Sequence, residues 1–175
     1  MAKLLRNMAI IAFIFFILFL TIYLIVPSGI ILSLTITFAT IFYHFIMRLI
    51  VGLIINAKYK NDIDYNKKWF RVSLKEQKFY EKLKVKSWKN KMPTYNKSFF
   101  DSKTRSWEEI AKATCQAEIV HEIIIVLSFL PIIASIWLGA IAVFIITSVI
   151  SALIDSTFVI MQRYNRPRIL RLIKK

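Results

Sequence analysis

Cys115, Glu118, His121 and Glu122 fall close together where polar sequence gives way to Ile123-Ile124-Ile125. On a helix, positions 115, 118 and 122 share one face, and 118 and 121 are neighbours at i, i+3. A His beside a carboxylate is suited to general base catalysis. The carboxylate orients the imidazole and stabilises its protonated form, while the other ring nitrogen takes a proton from a hydroxyl nucleophile. Glu118 and His121 on one helix form a poor pair, which leaves Glu122 or a residue from another element as the orienter. The plainer reading is a set of interfacial side chains, or of interhelical hydrogen-bonding partners. An ionisable cluster at a membrane edge is costly, so a functional site is the default hypothesis.

Other chemistries fit less well. Glu118-x-x-His121 has the spacing of a di-iron ligand pair, but no second such motif exists, and Ile125 stands where a zinc protease needs its second His. No metal site is expected. There is no Gly-rich phosphate loop and no nucleophile-elbow Ser. Cys115 is the sole cysteine, so an internal disulfide is impossible. It could form an acyl-enzyme intermediate, but the small residues around it suit ordinary helix packing and disfavour that role.

Three further ionisable residues interrupt apolar sequence: His44 and Arg48, at i, i+4, and Asp155. Their depths match, so Arg48 and Asp155 are expected to pair, with His44 nearby. The pair either fixes helix register or receives a polar substrate head. The chain then closes on Gln162-Arg163-Tyr164-Asn165-Arg166-Pro167-Arg168. Arginine there is a stop-transfer signal, a contact for anionic lipid or a bidentate phosphate binder, and Pro167 should end the helix near Arg166.

The elements that must position these residues follow from how charge is distributed. The chain has 175 residues, is 57% hydrophobic and carries 25 Lys plus Arg against 10 Asp plus Glu, a formal charge of +15. Neither a soluble domain nor a disordered chain has that profile. The runs 8–55 and 119–161 are nearly free of charge, and as single helices they would reach about 72 and 65 Å against a hydrocarbon core of about 30 Å. Each must fold back once. Pro27-Ser28-Gly29 breaks the first run into spans of about 8–26 and 30–55, and Trp137 with Gly139 marks the second reversal. Pro131 should kink the third span.

The expected fold is therefore all-α, an integral membrane bundle of four transmembrane helices in two hairpins. The first hairpin occupies 1–56, a basic segment 57–118, the second hairpin 119–161 and a basic tail 162–175. The start, the central segment and the tail are all basic, whereas both hairpin turns are uncharged, which places both termini in the cytoplasm. The first span is too long for a signal peptide and lacks a small-x-small cleavage site. The central segment should contain a short amphipathic helix, capped by Ser73-Leu74-Lys75-Glu76 and continued by Phe79, Tyr80 and Leu83, its apolar face on the bilayer and Trp69 and Trp88 as interfacial anchors. Lys78, Lys82, Lys84, Lys86 and Lys89 then face anionic head groups, a phosphorylated ligand or only solvent. A second capping box, Ser106-Trp107-Glu108-Glu109, opens a helix that runs into the third span.

Three blocks carry a resemblance: Phe79-Tyr-Glu-Lys with Lys86-Ser-Trp-Lys-Asn-Lys91, Ala117-Glu-Ile-Val-His121 followed by Leu130-Pro131, and Val159-Ile-Met-Gln-Arg-Tyr-Asn-Arg-Pro-Arg-Ile169. In content and order the sequence resembles the glycosyl-4,4'-diaponeurosporenoate acyltransferases of the staphyloxanthin pathway, over roughly residues 65–172. The resemblance implies a small membrane enzyme of a bacterial cell membrane that esterifies a sugar hydroxyl of a membrane-embedded glycolipid with a fatty acyl chain. Glu118, His121, Trp88, Lys89, Arg163, Tyr164, Asn165, Arg166 and Arg168 fall inside the resembling blocks.

The mechanism expected is deprotonation of the acceptor hydroxyl by His121, assisted by Glu118 or Glu122. Basic side chains would hold the phosphates of an acyl thioester co-substrate, and Asn165, Trp88 or Arg163 would be the oxyanion donor. No bound cofactor and no nucleic acid is expected. The partners are the lipid bilayer, the lipid-linked sugar acceptor and the acyl donor, and an oligomer is compatible with the chain. The alternative is a non-enzymatic membrane protein that binds anionic lipid or a partner through its basic segment. Transport is disfavoured by size.

Overall fold

The computed structural model describes residues 2–88 and 97–174, and Lys89 lies outside them. Among the described residues all regular structure is helical. The helices are α1 (Ala2–Ile25), α2 (Gly29–Tyr59), α3 (Leu74–Lys82), α4 (Trp107–Leu127), α5 (Pro131–Leu138) and α6 (Ile141–Ile173). Short 3-10 turns lie at Lys68–Phe70, Val85–Trp88 and Lys97–Phe100. Four helical stretches are long and apolar enough to cross a membrane: Lys3–Ile25, Gly29–Tyr59, Trp107–Leu138 and Ile141–Ile173. The chain divides into two compact units, one of Ala2–Gly52 with Ile123–Ile154 and one of Leu53–Glu122 with Asp155–Lys175.

The first unit is the apolar one. Pro27 and Ser28 separate α1 from α2, and Ser28 Oγ accepts the Ile31 N–H at 3.2 Å, capping the new helix. Ring pairs Phe13–Phe42, Phe15–Phe38 and Phe19–Phe38, with centroids 5.0 to 5.4 Å apart, pack the two helices together. Ala9 and Ala12 are buried and leave room for close approach. Ile10, Ile14, Leu24, Ile136 and Leu153 are exposed, as expected of helices that face hydrocarbon. Hydroxyls of Thr21, Ser33, Thr35, Thr37 and Thr40 donate to carbonyls one turn back, so none of these five is stranded.

The second reversal falls at the expected place. Gly139 sits at φ 65°, ψ −142°, followed by Ala140 at φ 50°. The third span is interrupted before Pro131. α4 stops at Leu127, three residues turn, and α5 begins at Pro131, where the missing N–H costs nothing.

Arg48 belongs to this apolar unit and Asp155 to the other. Within its own unit Arg48 donates to the His44 carbonyl at 2.9 Å and to Ser151 Oγ at 2.8 Å. Ser151 Oγ also lies 2.8 Å from Ser128 Oγ. Tyr43 donates its hydroxyl to the Leu127 carbonyl at 2.9 Å. These bonds tie α2, α4 and α6 within the unit.

The second unit carries the charge. The Ser106 box closes in both directions: Ser106 Oγ accepts the Glu109 N–H at 3.2 Å and Glu109 Oε2 accepts the Ser106 N–H at 2.9 Å. Ser73 likewise caps α3, accepting the Glu76 N–H at 3.2 Å. Asn61, at φ 60°, donates its N–H to Gln116 Oε1 at 2.7 Å, and Lys112 reaches Asp62 at 2.8 Å, so the turn after α2 is fastened to α4. Two apolar clusters fill the interior. Cys115 packs with Ile63 and Phe70, and Tyr80 packs with Val85 and Tyr164.

Two expectations are corrected in this unit. Tyr80 points into the protein against α6 and not toward a bilayer, whereas Phe79 and Leu83 of the expected apolar face are exposed. Helix α6 does not end near Arg166 but continues through Pro167 to Ile173. The residue before a proline disfavours the α conformation, yet Arg166 is held there by buried bonds to Glu118, Thr114 and the Phe70 carbonyl. Arg168 to Tyr164 spans the turn that lacks the proline N–H, and Arg171 donates to the Pro167 carbonyl one turn on.

Candidate active site

His121 is near the middle of α4, and the carboxylate that meets it comes from α6. His121 Nδ1 lies 2.7 Å from Asp155 Oδ1. Asp155 is 1% exposed and His121 retains 22% of its side-chain surface. An ionised carboxylate only accepts hydrogen bonds, so opposite one Nδ1 is the donor, and in a neutral imidazole that tautomer leaves the lone pair on Nε2. Phe158, one turn beyond Asp155, stacks on the imidazole with centroids 4.6 Å apart and planes 6° from parallel. The ring is thus fixed in plane by one side chain and in rotation by another, with Nε2 bonded to none of the described residues. The carboxylate that meets His121 thus comes from another helix and is neither Glu118 nor Glu122.

Glu118 is a separate centre. Its side chain is fully buried and both oxygens are held, Oε1 by Arg163 Nη1 at 2.6 Å and Oε2 by Arg166 Nη2. Arg163 extends the network to Glu76, with Nε at 2.5 Å and Nη2 at 3.2 Å, and donates to the carbonyls of Trp69 and Arg71, both at 3.2 Å. Arg166, also fully buried, donates to Thr114 Oγ1 at 3.2 Å and to the Phe70 carbonyl at 3.1 Å, and lies 5.0 Å over the Phe70 ring. Burial works against the ionised form of Glu76, but the Arg163 guanidinium and the Tyr80 hydroxyl, at 2.5 Å, outweigh it and hold the carboxyl below its usual range. Burial, and then the Glu76 carboxylate, push the Tyr80 phenol up to about 12. Nearly every donor of Arg163 and Arg166 is taken up by protein oxygen, so these two guanidiniums clasp α4, α6 and the 3-10 turn at Lys68–Phe70 to one another.

The remaining candidates are dispersed. Glu122 Oε2 accepts from Trp69 Nε1 at 3.0 Å, which pins an otherwise exposed indole. Tyr164 is buried and accepts from Arg168 Nη2 at 2.5 Å, with the guanidinium 4.2 Å over its ring. Trp88 packs on the Tyr80–Val85–Tyr164 cluster, and Asn165 is half-buried on α6. His44 and Arg48 belong to the apolar unit. Among the described residues no cluster of three or more His, Cys, Asp or Glu could hold a metal ion.

Sequence reasoning missed Glu76, Thr114 and Phe158 as members of these centres. Spacing along α6 was the available signal: Asp155, Phe158, Gln162 and Arg166 follow at i, i+3, i+7 and i+11, one continuous face.

No curated protein and no solved structure matches the chain. A family model described as glycosyl-4,4'-diaponeurosporenoate acyltransferase, CrtO, matches residues 61–175. That range takes in α3 through α6, and with them every residue of the His121 and Glu118 centres. The chain therefore belongs to the glycosyl-4,4'-diaponeurosporenoate acyltransferase family, an acyltransferase family of carotenoid biosynthesis.

Proposed function

We propose that this protein transfers a fatty acyl chain from an acyl thioester to a sugar hydroxyl of a membrane-embedded glycolipid, with His121 as general base and Asp155 as its positioning residue. The observation that carries the reading is the His121–Asp155 pair at 2.7 Å, in a chain that belongs to an acyltransferase family. His121 Nε2 takes the proton of the acceptor hydroxyl as its oxygen attacks the thioester carbonyl. The new C–O ester bond forms, the C–S bond breaks, and the imidazolium returns its proton to the departing thiolate. Asp155 keeps the tautomer with Nε2 unprotonated and stabilises the transient positive charge, as the carboxylate of a Ser-His-Asp triad does. Glu118 and Glu122 act at one remove, Glu118 by holding α6 to α4 and Glu122 by holding Trp69. The four apolar helices would accommodate the acceptor's apolar part and the acyl chain in a bacterial cell membrane, with both termini cytoplasmic.

The test is a product analysis. Purified protein in lipid nanodiscs is given a fatty acyl-coenzyme A and a glycosylated carotenoic acid, and the lipids are followed by mass spectrometry. Appearance of the acceptor plus one acyl chain is the expected result. An unchanged acceptor, with the thioester intact, would refute the reading.

A further inference from the structure

A groove of about 480 Å³ on the charged unit is lined by Glu81, Lys84, Lys86, Ser87 and Tyr164. Arg168 joins it through its bond to the Tyr164 hydroxyl and its place over the Tyr164 ring. The groove thus gathers Lys84, Lys86 and Arg168, whose one acidic lining neighbour among the described residues is Glu81. Its floor is firm, because Tyr164 packs with Tyr80 and Val85. Ser87 Oγ spends its proton on the Lys84 carbonyl at 2.8 Å, so a ligand there meets ammonium and guanidinium donors at the rim.

Lys84 is the telling residue. It follows the C-cap of α3 at φ 52°, a left-handed conformation that favours glycine, and its N–H bonds to the Glu81 carbonyl at 2.9 Å. Glycine would fit this turn with less strain, yet the position carries an ammonium group beside the groove. Arg163 and Arg166, by contrast, are occupied by carboxylates and carbonyls.

We propose that this groove is an organic phosphate site, in which Lys84, Lys86 and Arg168 hold the phosphates of the acyl carrier. Building on the acyl-transfer reading, it separates donor binding from the His121 chemistry. The same chemistry could instead be met by the phosphodiester of an anionic lipid.

The test measures binding, without turnover. The full chain in phosphatidylcholine nanodiscs is titrated with coenzyme A, and the titration is repeated with phosphatidylglycerol discs and no coenzyme A, read by tryptophan fluorescence. Lys84→Gly relieves the turn while removing one cation, so the fold is kept, and Lys86→Ala removes the second. Coenzyme A affinity should fall about tenfold for each ammonium lost and rise in Glu81→Gln. If the Lys variants blunt only the phosphatidylglycerol response, the phosphate is a lipid's and the carrier assignment is overturned. If they alter neither response, the site itself is refuted. Normal coenzyme A binding in a protein that transfers no acyl group would refute the catalytic reading and leave this site standing.

Discussion

Removing Glu118 should unfold the charged unit more readily than any other single change at the candidate site. Its carboxylate joins two guanidiniums, and they do not suffer equally when it goes. Arg163 keeps Glu76, at 2.5 and 3.2 Å, and is 18% exposed. Arg166 is fully buried, and its other partners, Thr114 Oγ1 and the Phe70 carbonyl, are neutral. Glu118→Ala therefore strands one charge in the interior, and breaking a buried pair from one side costs about 3–5 kcal/mol. That is roughly a hundred- to several-thousand-fold in the folded-to-unfolded ratio. Glu118→Gln keeps the shape and one acceptor, and should lose about 1.5–3 kcal/mol. The double variant Glu118→Leu with Arg166→Met removes both charges and should recover most of the loss, since apolar replacement of a whole buried pair is often neutral or better. Chemical unfolding of wild type, Glu118→Leu, Arg166→Met and the double variant in one detergent closes a double-mutant cycle, with Glu118→Ala and Glu118→Gln measured beside them. A Glu118→Ala loss within about 1 kcal/mol, or a double variant no more stable than the worse single, would refute the clasp.

Other perturbations have outcomes of definite sign. Gly139→Ala should cost about 1–3 kcal/mol from backbone strain alone, since an added Cβ there meets no atom within 4 Å at φ +65°. Gly52→Ala, mid-helix and equally open, should instead stabilise by about 0.5–1 kcal/mol; equal signs in thermal unfolding would contradict one of the two. Ser106→Ala opens the reciprocal capping box and should cost about 1 kcal/mol, with Ser106→Asp restoring it. Glu76 titrates below its ordinary value of 4.5, so the folded state binds that proton less readily than the unfolded one. Its contribution is then complete above that value and is lost as pH falls through the lowered folded pKa. The stability gap between wild type and Glu76→Gln should stay constant from about pH 7 to about pH 5 and close at lower pH; a gap that widened on acidification would reverse the sign.

Features written in a few neighbouring residues were legible in the sequence. Pro27-Ser28-Gly29 and Gly139 turn the chain because proline and glycine act on their own backbone, and the Ser73 and Ser106 caps close over three residues. Chemistry that depends on distant parts of the chain was legible only as residue type. His121 was identified, but its carboxylate stands 34 positions away on another helix, and the nearer Glu118 and Glu122 drew attention because spacing alone ranks neighbours first. Arginines of the tail suggested phosphate by composition, whereas Arg163 and Arg166 are consumed by Glu76 and Glu118, 87 and 48 positions distant. Pro167 misled for the same reason. A local helix breaker was overridden by buried tertiary bonds on Arg166, which no window of sequence around the proline contains.

The central claim is that a neutral His121, aimed by Asp155, removes the acceptor's proton. It is tested most directly by comparing the acyl-transfer kcat of wild type, His121→Ala, Asp155→Glu and Asp155→Asn, with folding verified by unfolding midpoint. His121→Ala should lose about 10²–10⁴-fold in kcat with little change in donor affinity. Asp155→Asn should approach the same loss, and Asp155→Glu should retain part of the rate. A His121→Ala protein that folds normally and transfers acyl groups within a few-fold of wild type would contradict the account.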